Sequence, residues 1–467
     1  MIKRISILLL IPTLLYFTSC GTDAKSSTKN SNADITKKVE PKPITPETAL
    51  QRYLDNGDTH FKWSIKESYP VGETTAYDLL LTSQKWREHL WTHQLTVLVP
   101  KEIKYNGALL FITGGSSEGD LPNWKAKDDK TTKNFAKIAT KDKALVAIVR
   151  QVPKQPLYEG DLVEDQLISF TLHNFKKDKD YSWPLLFPMV KSAVKAMDAV
   201  QEFSKENLHK EITRFTVSGA SKRGWTTWLT GASDKRVEAI APMVIDVLNM
   251  PVSLDYQVTA WNEYSIQIED YTKLEIPQSV NTPDGNAISI MVDPYSYRKK
   301  LTMPKLIFIG TNDEYWPVDA IKNYIDEIPG ENYIHYVPNA GHDLAGGEQA
   351  FRALSGFWER TLNNKSYKEF SYKTTTDKNS ASITIKSSTD ELLNVYLWST
   401  DSKDRDFRDE KWVSKKLKFN KEGLEYKVNF PKSGYRAFYV DMEYADPNGG
   451  KYTKSTRMYL LDDDELL

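Results

Sequence analysis

The 467-residue sequence predicts an α/β protein, with a doubly wound, mostly parallel sheet that carries a lid-like insert, followed by an all-β Ig-like sandwich. Three observations predict it. Between residues 75 and 364 short apolar runs alternate with helical patterns, the rhythm of βαβ units. Residues 247–300 interrupt that rhythm with some fifty residues of no clear period. Beyond Lys365 the pattern changes to period-two runs separated by turn clusters, the signature of short antiparallel strands.

Composition bounds the function. Hydrophobic content of 40% and charged content of 27% are those of a globular chain, long enough for more than one domain. A formal charge of −1 argues against nucleic acid as the main partner. The seven histidines do not cluster, and no His-Glu-x-x-His or Cys-x-x-Cys pattern occurs, so neither a metal nor a cofactor is expected. His89 and His93 are four apart, but their setting reads as a strand, which makes them core or surface residues rather than ligands.

The N-terminus carries a different signal. Lys3 and Arg4 precede an apolar run over 5–16 that is too short to span a bilayer, and Phe17-Thr18-Ser19-Cys20-Gly21 resembles a bacterial lipobox. Cys20 is the single cysteine, so the expectation is a lipoprotein signal over 1–19, acylation of Cys20 and anchoring to the lipid bilayer through it. An ordinary secretory signal cleaved near Ser19 is the alternative. Removing residues 1–19 lowers the formal charge from −1 to −3. The expected location is the bacterial cell envelope, periplasmic or on the outer-membrane face. Residues 20–45, polar and rich in Lys and Pro, read as a tether.

The elements are taken in chain order. A short helix over 48–54 precedes an aromatic segment, 59–74, expected to pack as strand or loop. Strands are predicted at 75–82 and 93–100, and a fully apolar one at 107–113 runs into Gly114-Gly115. A helix over 130–141 and a strand over 144–149 lead to a loop containing Glu164 and Asp165, then a long helix over 186–205. The strand before Gly219-Ala220-Ser221-Lys222-Arg223-Gly224, a helix over 225–231 and a strand over 239–246 precede the insert. After it come a strand over 305–310, a helix over 319–328, a strand over 333–337 and a helix over 348–362. The catalytic domain is thus 46–364 and the sandwich 365–467, with the acidic run 462–465 as a solvated tail.

Three loops concentrate the chemistry. A serine at a sharp strand-to-helix turn exposes its hydroxyl beside the unpaired N–H groups and partial positive charge of a helix N-terminus. Ser221 has that setting, although the second glycine stands one place later than in Gly-x-Ser-x-Gly. A serine hydroxyl needs a base to take its proton and a carboxylate to orient that base. Asp313 and His342 come next in that chain order, each on a loop after a predicted strand, where reacting groups gather in open α/β sheets. Asp246 is an alternative acid, Asp319 could cap a helix, and Glu314 neighbours Asp313. The oxyanion hole is expected from the N–H of Lys222 and that of Gly114 or Gly115. The side chains of Lys222 and Arg223 read either as an anion attractor or as helix surface charges. Of Trp225, Trp228, Trp261 and Trp316, one or two are expected to wall the pocket.

With these residues the chain resembles the PhoPQ-activated pathogenicity-related protein family, a branch of the α/β-hydrolase superfamily. The likeness rests on Gly-Ala-Ser221-Lys-Arg-Gly-Trp, Ile-Thr-Gly-Gly-Ser, Gly-Thr-Asn-Asp313-Glu-Tyr-Trp-Pro-Val-Asp and Pro-Asn-Ala-Gly-His342, and covers about 46–467. The family name comes from regulation and implies no substrate. The Asp313 and His342 loops also look like those of prolyl-oligopeptidase-type peptidases, and the elbow, with its basic residue after the serine, is similar to that of glucuronoyl esterases. The expectation is a serine hydrolase acting on an ester- or amide-bearing substrate. A catalytically silent binding or signalling protein, and glycan binding by the C-terminal strands, are the competing expectations.

Overall fold

In the computed structural model the described residues are 43–467 except 369 and 447–450, so the signal, Cys20 and nearly all of the tether lie outside them. Strands β1 (Lys62–Val71), β2 (Thr74–Trp86) and β3 (His89–Pro100) form an antiparallel meander. β4 (Gly107–Ile112) comes after it, then the two-residue hairpin β5 (Ser117–Glu118) and β6 (Leu121–Pro122), and β7 (Leu145–Val149). Next come β8 (Arg214–Ala220), β9 (Val237–Met243), β10 (Lys305–Gly310) and β11 (Asn332–Val337). In space they run β1-β2-β3-β7-β4-β8-β9-β10-β11, with every pair from β7 to β11 parallel. This is the expected α/β sheet, with antiparallel strands added at both sides.

The parallel centre is covered on both faces. In β4, Ala108, Leu110 and Ile112 join one core and Leu109 and Phe111 the other; β7 divides in the same way. Two-residue periodicity sends alternate side chains to opposite faces, so a strand buried on both faces reads as one unbroken apolar run. Helices α3 (Glu164–Asp178), α4 (Leu186–Asn207) and α5 (Lys222–Ser233) supply the first core, while α2 (Lys130–Asp142) and the late helix Glu348–Leu362 supply the second. A short α1 (Pro46–Leu54), opened by a Thr45–Thr48 capping box, buries Leu50 and Tyr53 in the first.

Three elements differ from expectation. Glu164 and Asp165 open α3 rather than lie in a loop; Val163 at its N-cap gives no side-chain hydrogen bond, so no start signal marks it. The helix expected over 319–328 is two short 3₁₀ turns, Ala320–Asn323 and Ile325–Glu327. The insert over 247–300 is largely helical, as α6 (Met250–Trp261), α7 (Glu269–Thr272), α8 (Pro283–Val292) and a 3₁₀ turn, Pro294–Lys300. α6 and α8 mix apolar residues around their circumference, which erased the period-3.6 signal. None of the described helices is long and apolar enough to cross a membrane.

After α9, the late helix just given (Glu348–Leu362), come β12 (Phe370–Asp377), β13 (Ser380–Ser387), β14 (Leu392–Ser402), β15 (Val413–Leu417), β16 (Leu424–Asn429), β17 (Tyr435–Ala445), β18 (Lys451–Ser455) and β19 (Tyr459–Leu461). β12-β13-β16 form a separate sheet whose Ala381, Ile383 and Ile385 share a core with Val440 and Met442 of β17. β18 pairs antiparallel with β11 at Ile334 and Ser455, so β18-β17-β14-β15 continue the central sheet, and β19, paired with β17, brings it to fourteen strands. Residues Ile44–Leu467 accordingly form one compact unit.

Candidate active site

Ser221 sits between β8 and α5 with φ 55° and ψ −124°, a conformation that costs a non-glycine residue about 1–3 kcal/mol. Two glycines make that turn possible. A Cβ on Gly219 would lie 2.8 Å from the carbonyl oxygen of Arg223, and one on Gly224 would lie 2.7 Å from that of Met243. The second glycine of the elbow is therefore displaced because it is residue 224 that meets β9. Since the Ser221 N–H donates to Met243 O at 2.9 Å, α5 and the serine share that support. Gly224→Ala is expected to cost about 1–3 kcal/mol by pushing the helix off β9. A urea midpoint unchanged from the parent would contradict it.

Arg223 occupies the place that the usual glycine leaves. Its Nε donates to Val152 O at 2.6 Å, and its two terminal nitrogens grip Glu164 at 2.6 and 2.7 Å. Gly114 lies directly against the guanidinium, since a Cβ there would fall 2.5 Å from Nη2. Lys222 Nζ reaches Asp165 Oδ2 at 2.7 Å, and Tyr271 OH of the insert donates to Asp165 Oδ1 at 2.8 Å. Burial opposes charge on Glu164, but the hydrogen bonds and charge of Arg223 prevail and bring its pKa down to about 2. Neither cation is free to attract an anionic group, and with side chains 11% and 10% exposed neither is a helix surface charge, so both expectations are corrected. The sequence offered no sign of this pairing, because the partners lie 57 or more residues away in a helix without a start signal.

The residues expected to supply the oxyanion donors follow strands that end side by side. β4 pairs with β8 through Ile112 and Gly219, so Gly114 and Ser221 each stand two residues beyond their paired residue. The Lys222 N–H opens α5 and has no intrahelical acceptor. Gly115 has φ 147°, and a Cβ there would lie 2.9 Å from Gln151 Nε2, so only glycine fits.

Asp313 and His342 are brought together. β10 and β11 are parallel neighbours with Gly310 opposite Val337, so the loops after them interlock. Asn312 N donates to Ala340 O at 2.9 Å, Asn339 N to Thr311 Oγ1 at 2.8 Å, and His342 N to Glu314 Oε2 at 2.8 Å. His342 Nδ1 lies 3.1 and 3.0 Å from the two Asp313 oxygens, and Tyr315 N donates to Asp313 Oδ1 at 2.9 Å. His342 Nε2 is buried without a hydrogen-bond partner, so no hydrogen bond joins it to Ser221 here. The Tyr315 ring covers the imidazole at 4.1 Å and lines the same cavity as Ser221.

Asp246, the alternative acid, is elsewhere. It lies three residues beyond β9, fully buried, with Oδ1 accepting from Tyr324 OH at 2.6 Å. Burial, with the nearby charges of Asp313 and Asp319, pushes its carboxyl up to about 7. Asp319 accepts from Tyr256 OH of α6 at 2.7 Å and pairs with Lys322.

The cavity at Ser221 holds about 80 Å³ and is walled by Trp225, Ile245, Met250, Val280, Ile288 and Trp316 among others. Most of that wall is insert, which Trp225 ties down by donating from Nε1 to Val292 O at 2.5 Å. Trp228 is core, and Trp261 lies under Arg408 at 4.3 Å. His93 is also core: its ring nitrogens meet Ser83 Oγ and Arg150 O, each at 2.9 Å, and burial lowers it to about 4. Among the described residues the carboxylates gathered closely enough to hold a cation are Asp462, Asp463 and Asp464, which lie outside this cavity.

Comparisons with known proteins give relatives at two levels. The chain is similar to the autocrine proliferation repressor protein A of Dictyostelium discoideum, 29% identical over 434 residues that cover 85% of this chain and 86% of that one. Acetyl xylan esterase 1 from Thermoanaerobacterium sp. JW/SL YS485 matches in structure with a TM-score of 0.48 at 17% identity, over 69% of this chain and 95% of that one. The acetyl xylan esterase from Paenibacillus sp. R4 matches at 0.46 and 13%, over 66% and 92%. Residues 50–408 match the family model described as PhoPQ-activated pathogenicity-related protein, and the chain belongs to that family.

Proposed function

We propose that this protein is a serine hydrolase that cleaves an ester or peptide bond through an acyl-enzyme. The observation that carries it is the imidazole of His342, held at Nδ1 by Asp313 while Nε2 is buried and without a partner. A buried nitrogen left unsatisfied is costly unless a proton donor arrives, and hydrogen bonds of this kind tighten when substrate binds. Ser221 Oγ adds to the carbonyl carbon and its proton passes to Nε2. The oxyanion collects N–H donors from Lys222 and from Gly114 or Gly115. The C–O or C–N bond then breaks, and the leaving group takes the proton from Nε2. Water repeats the sequence on the acyl-serine and releases a carboxylic acid.

The cavity supports a preference for an apolar substituent next to the scissile carbonyl. Its lining is almost wholly aliphatic and aromatic, with Asp165, Ser221 and Lys222 among the few polar members. The lipobox-like segment supports action from the surface of an envelope membrane, with Cys20 acylated.

A fluorophosphonate probe applied to residues 21–467 tests the reaction class. Labelling that disappears in Ser221→Ala and collapses in His342→Ala is expected, together with hydrolysis of p-nitrophenyl butyrate. The relative named as a repressor of proliferation favours the competing signalling role. Well-folded parent protein that takes up no probe would decide for that role.

A further inference from the structure

The loop over 403–412, which joins β14 to β15 in the C-terminal strands, reaches Asn312, next to Asp313, and Asn339, three residues before His342. Asn312 Nδ2 faces three of its carbonyl oxygens, those of Phe407 and Arg408 at 3.2 Å and Glu410 at 2.7 Å. Asn339 makes a two-way pair with Trp412: Nδ2 donates to the carbonyl at 3.1 Å, and Oδ1 accepts from the N–H at 2.8 Å. The loop is itself anchored, because Phe407 and Trp412 are each 2% exposed in the main core. It also grips the insert. Arg405 Nη2 donates to Tyr256 OH at 2.7 Å, and Arg408 covers Trp261. The family match ends at residue 408, well past the end of α9 at Leu362 and inside this loop.

We infer that this loop is a clamp that sets the relative position of the Asp313 loop, the His342 loop and the insert, with Asn312 and Asn339 as positioning residues. It gives the C-terminal strands a role at the site of the hydrolase half and rests on the serine-hydrolase reading above. The physical reason is that short loops at the end of a sheet have no cross-strand ladder beyond the last paired residue. Two amides that hydrogen-bond the backbone of a third loop, itself pinned in the core by Phe407 and Trp412, replace that ladder. Each amide lies one or three residues from its reacting side chain, too near for a displacement to be absorbed.

Asn339 has φ 57°, so Asn339→Gly removes both side-chain bonds without adding backbone strain. Asn339→Asp keeps the acceptor and loses the donor. For Asn339→Gly and Asn312→Ala, kcat for p-nitrophenyl butyrate is expected to fall about 10–100-fold with KM changed less than about threefold, and Asn339→Asp to fall between. Arg436→Ala, which breaks an exposed pair with Asp401 in the same strands, is expected to keep the parent kcat. Proton NMR of the full chain supplies a readout independent of turnover. The imidazole Nδ1–H of His342, assigned by its absence in His342→Ala, is expected to be protected in the parent and lost to exchange in Asn339→Gly. Folded Asn339→Gly and Asn312→Ala with parental kcat and a protected Nδ1–H would overturn the clamp. A parent that shows the protected proton but takes up no fluorophosphonate, while Asn339→Gly loses it, would overturn only the hydrolase reading.

Discussion

Asp313→Asn is expected to lower turnover of an activated ester by about 10⁴-fold, whereas Asp246→Asn leaves it near the parent value. Asp313 takes both contacts to His342 Nδ1. An amide there would present a donor to a donor and favour the wrong tautomer. Asp246 faces Tyr324 instead, and its second oxygen is buried without a partner. The same pair of variants separates in stability. With its carboxyl raised to about 7 from an ordinary value near 3.8, Asp246 is bound by a proton more tightly in the folded state. Its contribution therefore declines as pH rises from about 4 to about 7 and stays lost above that. Asp246→Asn should melt several degrees above the parent at pH 8 and show little gain at pH 4. Equal losses of turnover in the two variants would show that the acid assignment is wrong.

The second large effect is expected at Glu164, far from the serine in sequence. Glu164→Gln leaves the Arg223 guanidinium, 10% exposed, without its counter-charge. Breaking a buried pair from one side costs about 3–5 kcal/mol, and the partial exposure of Glu164, 35%, reduces this to roughly 2–3 kcal/mol. Because Arg223 also holds Val152 O and packs on Gly114, the Gly114 loop proposed to carry an oxyanion donor moves with it, and turnover is expected to fall about 10²-fold. The sign in pH is opposite to that of Asp246. A carboxyl depressed to about 2 from 4.5 stabilises the fold fully above 4.5, and that stability is lost as pH falls toward 2. Urea unfolding at pH 7 and pH 3 would measure it: the difference between parent and Glu164→Gln should shrink at pH 3. A difference that grows on acidification would mean that the Arg223 pair is not the source.

Much of the candidate site was legible because each candidate stands within five residues after a strand that announces itself. The apolar runs over 107–112 and 305–310 are buried on both faces, and an unbroken run of that length in a βαβ rhythm marks a central strand. The residues directly after such a strand lie at the end of the sheet. Parallel pairing of β10 with β11, as consecutive βαβ units usually show, then brings the Asp313 and His342 loops to the same end of the sheet. The insert was legible as an interruption but not as helices, since α6 and α8 lack a polar stripe to give a period.

By itself the sequence determined the alternation of strands and helices, the turn that exposes Ser221, and the order of Ser221, Asp313 and His342, because these are set by local pattern and chain direction. Only the tertiary structure decided which carboxylate meets His342, that Lys222 and Arg223 are neutralised by Asp165 and Glu164, and that Asn312 and Asn339 are held by residues 403–412. These are pairings across 29 to 98 residues between polar groups with many possible partners. Burial of apolar faces brings their loops together, and the hydrogen bonds select among the neighbours that burial supplies.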